Sequence, residues 1–264
     1  MDLGLKEKVA LVTGSSAGIG YAIAEKLALE GCQLIICGRN QKRLEEAEQK
    51  LARFSGKILK FVADIQQEPD SKLLVQESLK QLGKIDILIN NSEGAKFDNE
   101  AVENISKNQW NDAFSGKLMG YIRMTNLVLP TMKQQKWGRI INIVGSSGKE
   151  PSARLIKSGV ANAGLINFTK AVATQVAPWN ILVNTVNPGL IDTPRHQEFI
   201  NMFAQQENKS VNYLVENINN SIPLGRRGSP DEVANLVVFL ASECSSYITG
   251  VAISVDGGGS SSAF

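Results

Sequence analysis

Apolar residues in this chain fall in short continuous blocks separated by longer amphipathic stretches. The blocks are Val9–Val12, Gln33–Cys37, Ile58–Val62, Ile85–Ile89, Arg139–Val144, Leu182–Val186 and Ala252–Val255; they are rich in β-branched residues and do not alternate. That pattern predicts strands buried on both faces, as in a parallel sheet covered by helices. Between them, Gly18–Glu30, Gln41–Arg53, Ser71–Leu82, Ile105–Met132, Ser158–Val176 and Pro230–Leu240 read as helices. Seven strands alternating with six helices predict right-handed βαβ units and a doubly wound α/β fold. One stretch departs from the rhythm. Residues 191–220 are polar, rich in Asn and Gln and weakly helical, and they follow a strand end where a sheet crevice would open. A mobile lid over a site is expected there, with a plain surface excursion as the alternative.

Length and charge narrow the classes. The chain of 264 residues suits one large α/β domain over 1–264 better than two small ones. A net charge of +2 on scattered basic residues argues against a nucleic-acid partner. No apolar run reaches the length of a membrane span, and the start MDLGLKEKVALVTG lacks the apolar core of a signal peptide. Cys32, Cys37 and Cys244 lie in apolar contexts at no metal or disulfide spacing. They read as buried thiols of a cytoplasmic protein. The Ser-rich end from 257 to 264 reads as partly mobile, or packed on a neighbour in an oligomer.

The first strand carries the clearest chemistry. Val9–Val12 runs into Thr13-Gly14-Ser15-Ser16-Ala17-Gly18-Ile19-Gly20 and then a helix. The glycines let the backbone turn tightly and approach a diphosphate, and the helix start turns free N–H groups toward it. The spacing is G-x-x-x-G-x-G, and its strand–turn–helix context makes Gly14, Ser16, Gly18, Ile19 and Gly20 a candidate dinucleotide cradle. The second strand ends in Cys37-Gly38-Arg39-Asn40. Gly38 stands where a ribose-binding carboxylate would select NAD, and Arg39 follows it, able to pair with a 2′-phosphate. This predicts NADP in preference to NAD, with Arg39 as a solvated loop charge the alternative. Asp64 and Ile65, past the third strand, are placed at the adenine, with a turn role for Asp64 also open.

The order of TGSSAGIG, VADI, ILINN at 87–91, GRIINI at 138–143, VNTVNPGLIDT at 183–193 and the run from PLGRRGSPDEVANLVVFLAS to ISVDGG resembles the classical short-chain dehydrogenases/reductases over essentially the whole chain. Within them it is most similar to the 3-oxoacyl-(acyl-carrier-protein) reductase-like group. The resemblance implies a Rossmann-type seven-stranded parallel sheet in the order 3-2-1-4-5-6-7 with helices on both faces. It implies a small-molecule carbonyl or acyl-thioester substrate and a homotetramer. Asn91 resembles the asparagine near the cofactor, in a motif that here reads Asn90-Asn91-Ser92-Glu93-Gly94. That departure is expected to reshape the loop near the ribose. Pro188 and Gly189 resemble the pair beside the nicotinamide, and Ile191 and Thr193 the residues that hold its carboxamide.

The family's chemistry uses a tyrosine acid, a lysine four residues later, a serine that polarises the carbonyl and an asparagine on the fourth helix. By alignment on neighbouring motifs, those positions hold Ser158, Asn162, Gly145 (with Ser146 one residue late) and Lys117. A serine hydroxyl is a far weaker acid than a phenol, and a neutral amide cannot depress a neighbour's pKa. Lys117 stands where a buried ammonium would lose pKa and could protonate an alkoxide, with Ser146 and Ser158 as hydrogen-bond donors; a solvated lysine is the alternative. His196 and Arg195 at the lid entrance could meet a substrate anion, or be surface residues. Two readings stay open: an NADP-dependent oxidoreductase with an altered proton-transfer site, and a non-catalytic NADP-binding sensor or partner subunit.

Overall fold

The computed structural model describes residues 2–54, 56–92 and 100–261. Glu93 and Gly94, on which the expected reshaping of the ribose loop rests, lie outside them. The seven apolar blocks form β1 (Val9–Val12), β2 (Gln33–Gly38), β3 (Ile58–Val62), β4 (Ile87–Asn90), β5 (Gly138–Ile143), β6 (Ile181–Pro188) and β7 (Ala252–Val255). They join in one sheet of order β3-β2-β1-β4-β5-β6-β7, and every adjacent pair is parallel. β1 pairs with β2 on one side and β4 on the other, so Val12 lies between Ile36 and Ile89. The winding reverses there, and a crevice opens beyond the carboxyl ends of the strands.

Helices cover both faces. On one side α1 (Gly18–Leu29), α2 (Gln41–Leu51) and α9 (Pro230–Ala241) bury Ala24, Leu27, Leu44, Val233 and Val237 against Val12, Ile36 and Ile89. On the other, α3 (Glu68–Leu82), α5 (Met119–Gln135) and α6 (Ile156–Val176) bury Leu74, Met124, Val128 and Leu165 against Leu11, Ile35 and Leu88. Continuous apolar strands are the sequence trace of this two-sided burial. The sheet also carries a buried polar row. Asn90 Nδ2 donates to Asn142 Oδ1 at 2.8 Å, Asn142 Nδ2 to Thr169 Oγ1 at 2.9 Å, and Thr185 Oγ1 to Thr169 Oγ1 at 2.9 Å.

Several expectations need correction. α3 starts at Glu68, not Ser71, because a proline is tolerated in a first helical turn and the acidic Glu68 and Asp70 suit its dipole. β4 starts at Ile87, not Ile85; before it, the Asp86 carboxylate accepts from the Val9 N–H at 2.8 Å and pairs with Lys84. β5 begins and ends one residue early, and β6 runs on through Pro188.

The helix read over Ile105–Met132 is α4 (Lys107–Ala113), one wide turn at Phe114–Leu118, and α5. A reciprocal Ser106–Gln109 capping box starts it. In the wide turn the Met119 N–H donates five residues back, to the Phe114 carbonyl. Residues 191–220 are far from weakly helical: they form α7 (Pro194–Glu207) and α8 (Val211–Asn220). Their polar sequence is offset by good caps, since the Thr193 hydroxyl accepts from the His196 N–H and the Ser210 hydroxyl from the Tyr213 N–H. Cys32 and Cys37 are buried as expected, but Cys244 is exposed, in the short turn after α9. The start of the Ser-rich tail folds back, with the Asp256 carboxylate accepting from the N–H groups of Gly258 and Ser260.

Candidate functional site

A cleft of about 560 Å³ opens at the carboxyl ends of β1, β2 and β3, between the β1–α1 turn and the start of α7. The turn is tied to the end of β4. Thr13 Oγ1 donates to the Asn91 carbonyl at 3.0 Å, and Asn91 Nδ2 donates to the carbonyls of Thr13 and Gly14, both at 3.2 Å. Gly14 has φ +60°, and a Cβ there would strike the Asn91 carbonyl. A Cβ at Gly20 would strike the Gly14 carbonyl. α1 begins after Ala17, which supplies no side-chain cap, so its first N–H groups are left without a side-chain acceptor. Bare backbone, a helix start and a crevice together fit a dinucleotide diphosphate. Gly14, Ser16, Gly18 and Ile19 line the cleft; Gly20 lies behind them.

At the other end, a Cβ on Gly38 would sit 3.3 Å from Ser16 Oγ, so the bare Gly38 lets β2 approach the cradle. Arg39 is exposed on the rim, and Arg43, in the first turn of α2, lines the same cleft. The Asn40 side chain fixes that turn by accepting from the Arg43 N–H at 2.9 Å. Arg43 was missed in the sequence, although it lies one helical turn beyond Arg39. Asp64 and Ile65 line the cleft, but the Asp64 carboxylate also accepts from the Gln66 N–H at 3.0 Å, so its turn role is real. Ile65 packs on Gly120, and its carbonyl accepts from Arg123 at 2.6 Å.

Pro188, Gly189 and Ile191 do not line the cleft. The Gly189 N–H is bound to the Val255 carbonyl at 3.0 Å. Ile191 is a core residue, 5% exposed, bridged to Gly228; its side chain is therefore not available to a carboxamide, which leaves only its backbone. Thr193 does line the cleft, and its methyl would lie 3.5 Å from a Cβ on Gly18, so the base of α7 rests on the glycine turn. Arg195 and Glu198 of α7 line the cleft beside it. His196 is half-buried, with Nδ1 unpartnered; burial first, then Arg227, lowers its pKa.

The proton-transfer candidates lie on three elements: the wide turn, the turn after β5 and α6. Lys117 lies in the wide turn and is 9% exposed, so it is not a solvated lysine. Its pKa is pushed down to about 8, first by burial and then by the charge of Arg195. Its Nζ is 5.8 Å from the Tyr121 ring centre. Tyr121 itself is fully buried: its hydroxyl accepts from the Ser92 N–H at 2.8 Å and donates to the Ile143 carbonyl at 3.2 Å. Burial pushes that phenol up to about 12. Asn162 Nδ2 donates to Ser147 Oγ at 2.9 Å, while Asn162 Oδ1 is buried with no partner. The serine that Asn162 engages is thus Ser147, not Ser146. Ser146 is half-buried in the short turn after β5, with its carbonyl accepting from Lys149 and Glu150. Ser158 is half-buried in the first turn of α6. No hydrogen bond joins Lys117 to Ser146, Ser158 or Asn162 among the described residues.

Comparison with known proteins agrees with this architecture. A family model described as enoyl-(acyl carrier protein) reductase matches residues 14–260. The chain is 38% identical over 259 residues to the NADPH-dependent reductase BacG of Bacillus subtilis, covering 96% of this chain and 98% of that one. It is 37% identical over 259 residues to the 3-oxoacyl-(acyl-carrier-protein) reductase FabG of Aquifex aeolicus, covering 98% and 99%. The crystal structure of L-sorbose reductase from Gluconobacter frateurii, complexed with NADPH and L-sorbose, superposes with a TM-score of 0.94 at 32% identity, covering 99% of this chain and 100% of that one. No helix among the described residues is long and apolar enough to cross a membrane. With the sheet order, the glycine cradle and end-to-end similarity all in agreement, the chain belongs to the short-chain dehydrogenase/reductase family.

Proposed function

We propose that this protein is an NADP-dependent oxidoreductase that reduces a small-molecule carbonyl or acyl thioester, with Lys117 as the proton donor in place of the family's tyrosine–lysine pair. The observation that carries this reading is a lysine buried in the wide turn before α5, its pKa pushed down to about 8. The NADPH-dependent relatives and the basic pair Arg39 and Arg43 on the cleft rim support the choice of NADP over NAD. In this reading Gly14, Ser16, Gly18, Ile19 and Gly20 form the diphosphate cradle and Arg39 and Arg43 take the 2′-phosphate. Asp64 and Ile65 face the adenine. Asn91 braces the cradle, and Thr193, Pro188, Gly189 and the backbone of Ile191 border the nicotinamide end.

When bound, the reduced nicotinamide supplies the hydride. Lys117 Nζ carries a proton below about pH 8 and gives it to the developing alkoxide. Ser147, held as an acceptor by Asn162, keeps its hydroxyl hydrogen to donate to the substrate oxygen, and Ser146 and Ser158 add donors at the mouth. A neutral Asn162 and a weakly acidic Ser158 suit a substrate that needs little acid assistance, such as a conjugated or β-dicarbonyl compound. The chain acts as one domain, with α7 and α8 as the lid, in a cytoplasmic homotetramer.

The test is a fluorescence titration with NADPH and NADH, followed by a screen of β-ketoacyl thioesters, quinones and sugars for NADPH oxidation. Lys117→Met is expected to lower kcat by about 10²–10⁴. Turnover unaffected by that change refutes the role of Lys117. Tight binding without turnover on any class supports the sensor or partner-subunit reading, which the Ser158 and Asn162 replacements favour. Tighter binding of NADH than NADPH refutes the role of Arg39.

A further inference from the structure

The cleft wall that follows β3 is held from behind by α5. Arg123, half-buried on that helix, reaches across with a single nitrogen: Nη1 donates to the Ile65 carbonyl at 2.6 Å and to the Gln66 carbonyl at 3.3 Å. Gly120 lies one helical turn earlier on the same face. A Cβ there would already touch Ile65 at 3.4 Å, so α5 stands close enough for the arginine to span the gap. The other groups of the wall are tied as well. The Asp64 N–H donates to Asp70 Oδ2 at 2.9 Å, the Asp64 carbonyl accepts from the Gln67 N–H at 2.8 Å, and Asp64 Oδ1 accepts from the Gln66 N–H at 3.0 Å. Ser71 Oγ is a second donor to the Ile65 carbonyl, at 3.2 Å. From Asp64 to Gln66, the backbone and carboxylate groups left without a partner among the described residues are the Ile65 N–H and Asp64 Oδ2. Both belong to residues that line the cleft.

We propose that Arg123 is a positioning residue for recognition of the adenine base: by holding the Ile65 and Gln66 carbonyls from behind, it keeps the Ile65 N–H and the Asp64 carboxylate side by side toward the cleft. The inference rests on the reading that places Asp64 and Ile65 at the adenine. A trans peptide sets its N–H and C=O on opposite sides, so the bond from the Asp64 carbonyl to Gln67 turns the Ile65 N–H the other way. That peptide swings about its flanking Cα atoms unless the carbonyls that follow are fixed, and Arg123 fixes both. A charged donor makes the stronger hydrogen bond, and one that takes two successive carbonyls restrains two peptide planes at once. A donor beside an acceptor matches adenine, whose ring nitrogen accepts next to an amino group that donates. Hypoxanthine reverses both, with a ring N–H beside a carbonyl oxygen; it would set donor against donor and oxygen against carboxylate. Arg123 touches no base in this scheme and acts through the wall.

The test compares NADPH with its hypoxanthine analogue, in which a carbonyl oxygen replaces the adenine amino group. Each is titrated into the full chain, and the fluorescence of the reduced nicotinamide reports binding. Both ligands carry the same phosphates and the same nicotinamide, so the contacts of Arg39, Arg43 and the glycine cradle cancel in the ratio of affinities. The parent protein is expected to bind NADPH about tenfold more tightly than the analogue, the worth of one well-made hydrogen bond. In Arg123→Met both nucleotides weaken, NADPH the more, and the preference falls close to parity. Arg123→Lys, slightly shorter but still a charged donor, restores most of the preference. Arg123→Gln, polar and shorter again, gives the methionine result and stands in for that variant should it not fold. An arginine that merely supports the fold would lower the melting temperature and weaken both nucleotides by the same factor. A preference kept at its parent value in Arg123→Met or Arg123→Gln therefore overturns the role of Arg123 alone. An Arg123→Lys protein that discriminates no better than Arg123→Met overturns it too. A parent protein that binds both nucleotides equally overturns the placement of Asp64 and Ile65 at the adenine, and the proposal falls with it.

Discussion

Replacing Lys117 with methionine is expected to stabilise the fold at neutral pH and to lose that effect in alkali. Methionine has a similar unbranched stem, so packing in the wide turn is largely kept. The change removes a charge whose burial lowers its pKa from the ordinary 10.5 to about 8. At about 1.4 kcal/mol per pKa unit, holding the ammonium inside the fold costs about 3 kcal/mol. The folded pKa lies below the unfolded one, so between about pH 8 and 10.5 the unfolded chain binds more protons and stability rises with pH. Below about pH 8 the lysine is charged in both states and the whole cost is present. Lys117→Met is therefore expected to gain about 3 kcal/mol at pH 7 and most of that gain is expected to vanish by pH 10. Urea unfolding of both proteins at the two pH values measures it, and the titrations common to both cancel in the difference. A gain of the same size at both pH values would show that packing, not charge, is responsible. A loss of stability at pH 7 would show that Lys117 is not a buried charge at all.

Two further changes probe the cradle and the fold beneath it. Gly14→Ala places a Cβ at φ +60° against the Asn91 carbonyl; it should cost about 1–3 kcal/mol and abolish the thermal shift that NADPH gives the parent protein, whereas a normal shift would show that the turn relaxes freely. Glu243→Ala removes the carboxylate that accepts from Arg139 Nη2 at 3.2 Å and from Trp137 Nε1 at 2.7 Å. Because Arg139 is wholly buried and Glu243 half-exposed, the cost should be about 1–3 kcal/mol, seen as a melting temperature lowered by several degrees with nucleotide affinity unchanged; an unchanged melting temperature would mean water replaces the carboxylate.

The sheet and the cradle were legible because each rests on local pattern. Two-sided burial writes continuous apolar runs, and the close approach of Gly14 and Gly20 to Asn91 admits only bare backbone, so the glycines stand out. Other features depend on contacts that no local pattern records. One extra residue in a helical turn at Phe114–Leu118 leaves the composition of the helix unchanged, yet it sets which way Lys117 faces. The stretch after Asp192 is so rich in Asn and Gln that its composition masks its helices; Val211, Leu214, Val215 and Ile218 at helical spacing in α8, with the caps Thr193 and Ser210, are the available signal. The motif does not reveal that the Ile191 side chain fills the core beside Gly228, because that contact is set by a strand bridge across many residues.

Gly145, Ser147, Gly148 and Asn162 form one packed unit. A Cβ at position 145 would come within 3.2 Å of Asn162 Nδ2, and one at Gly148 would press on Asn162 at 2.9 Å. Gly145 and Gly148 thus leave room for Asn162, whose amide donates to Ser147 Oγ at 2.9 Å. Random loss of function would leave such neighbours mismatched, with cavities or clashes where side chains had changed size. Here the glycines, the amide and the Ser147 hydroxyl fit each other, while Asn162 Oδ1 is buried with no partner. An orphaned buried acceptor costs about 1–3 kcal/mol. Under the proposed function Lys117 would carry the proton and Asn162 would stand as a neutral polar group where the resemblance places the family's lysine, so turnover would depend on the electrostatics around Lys117.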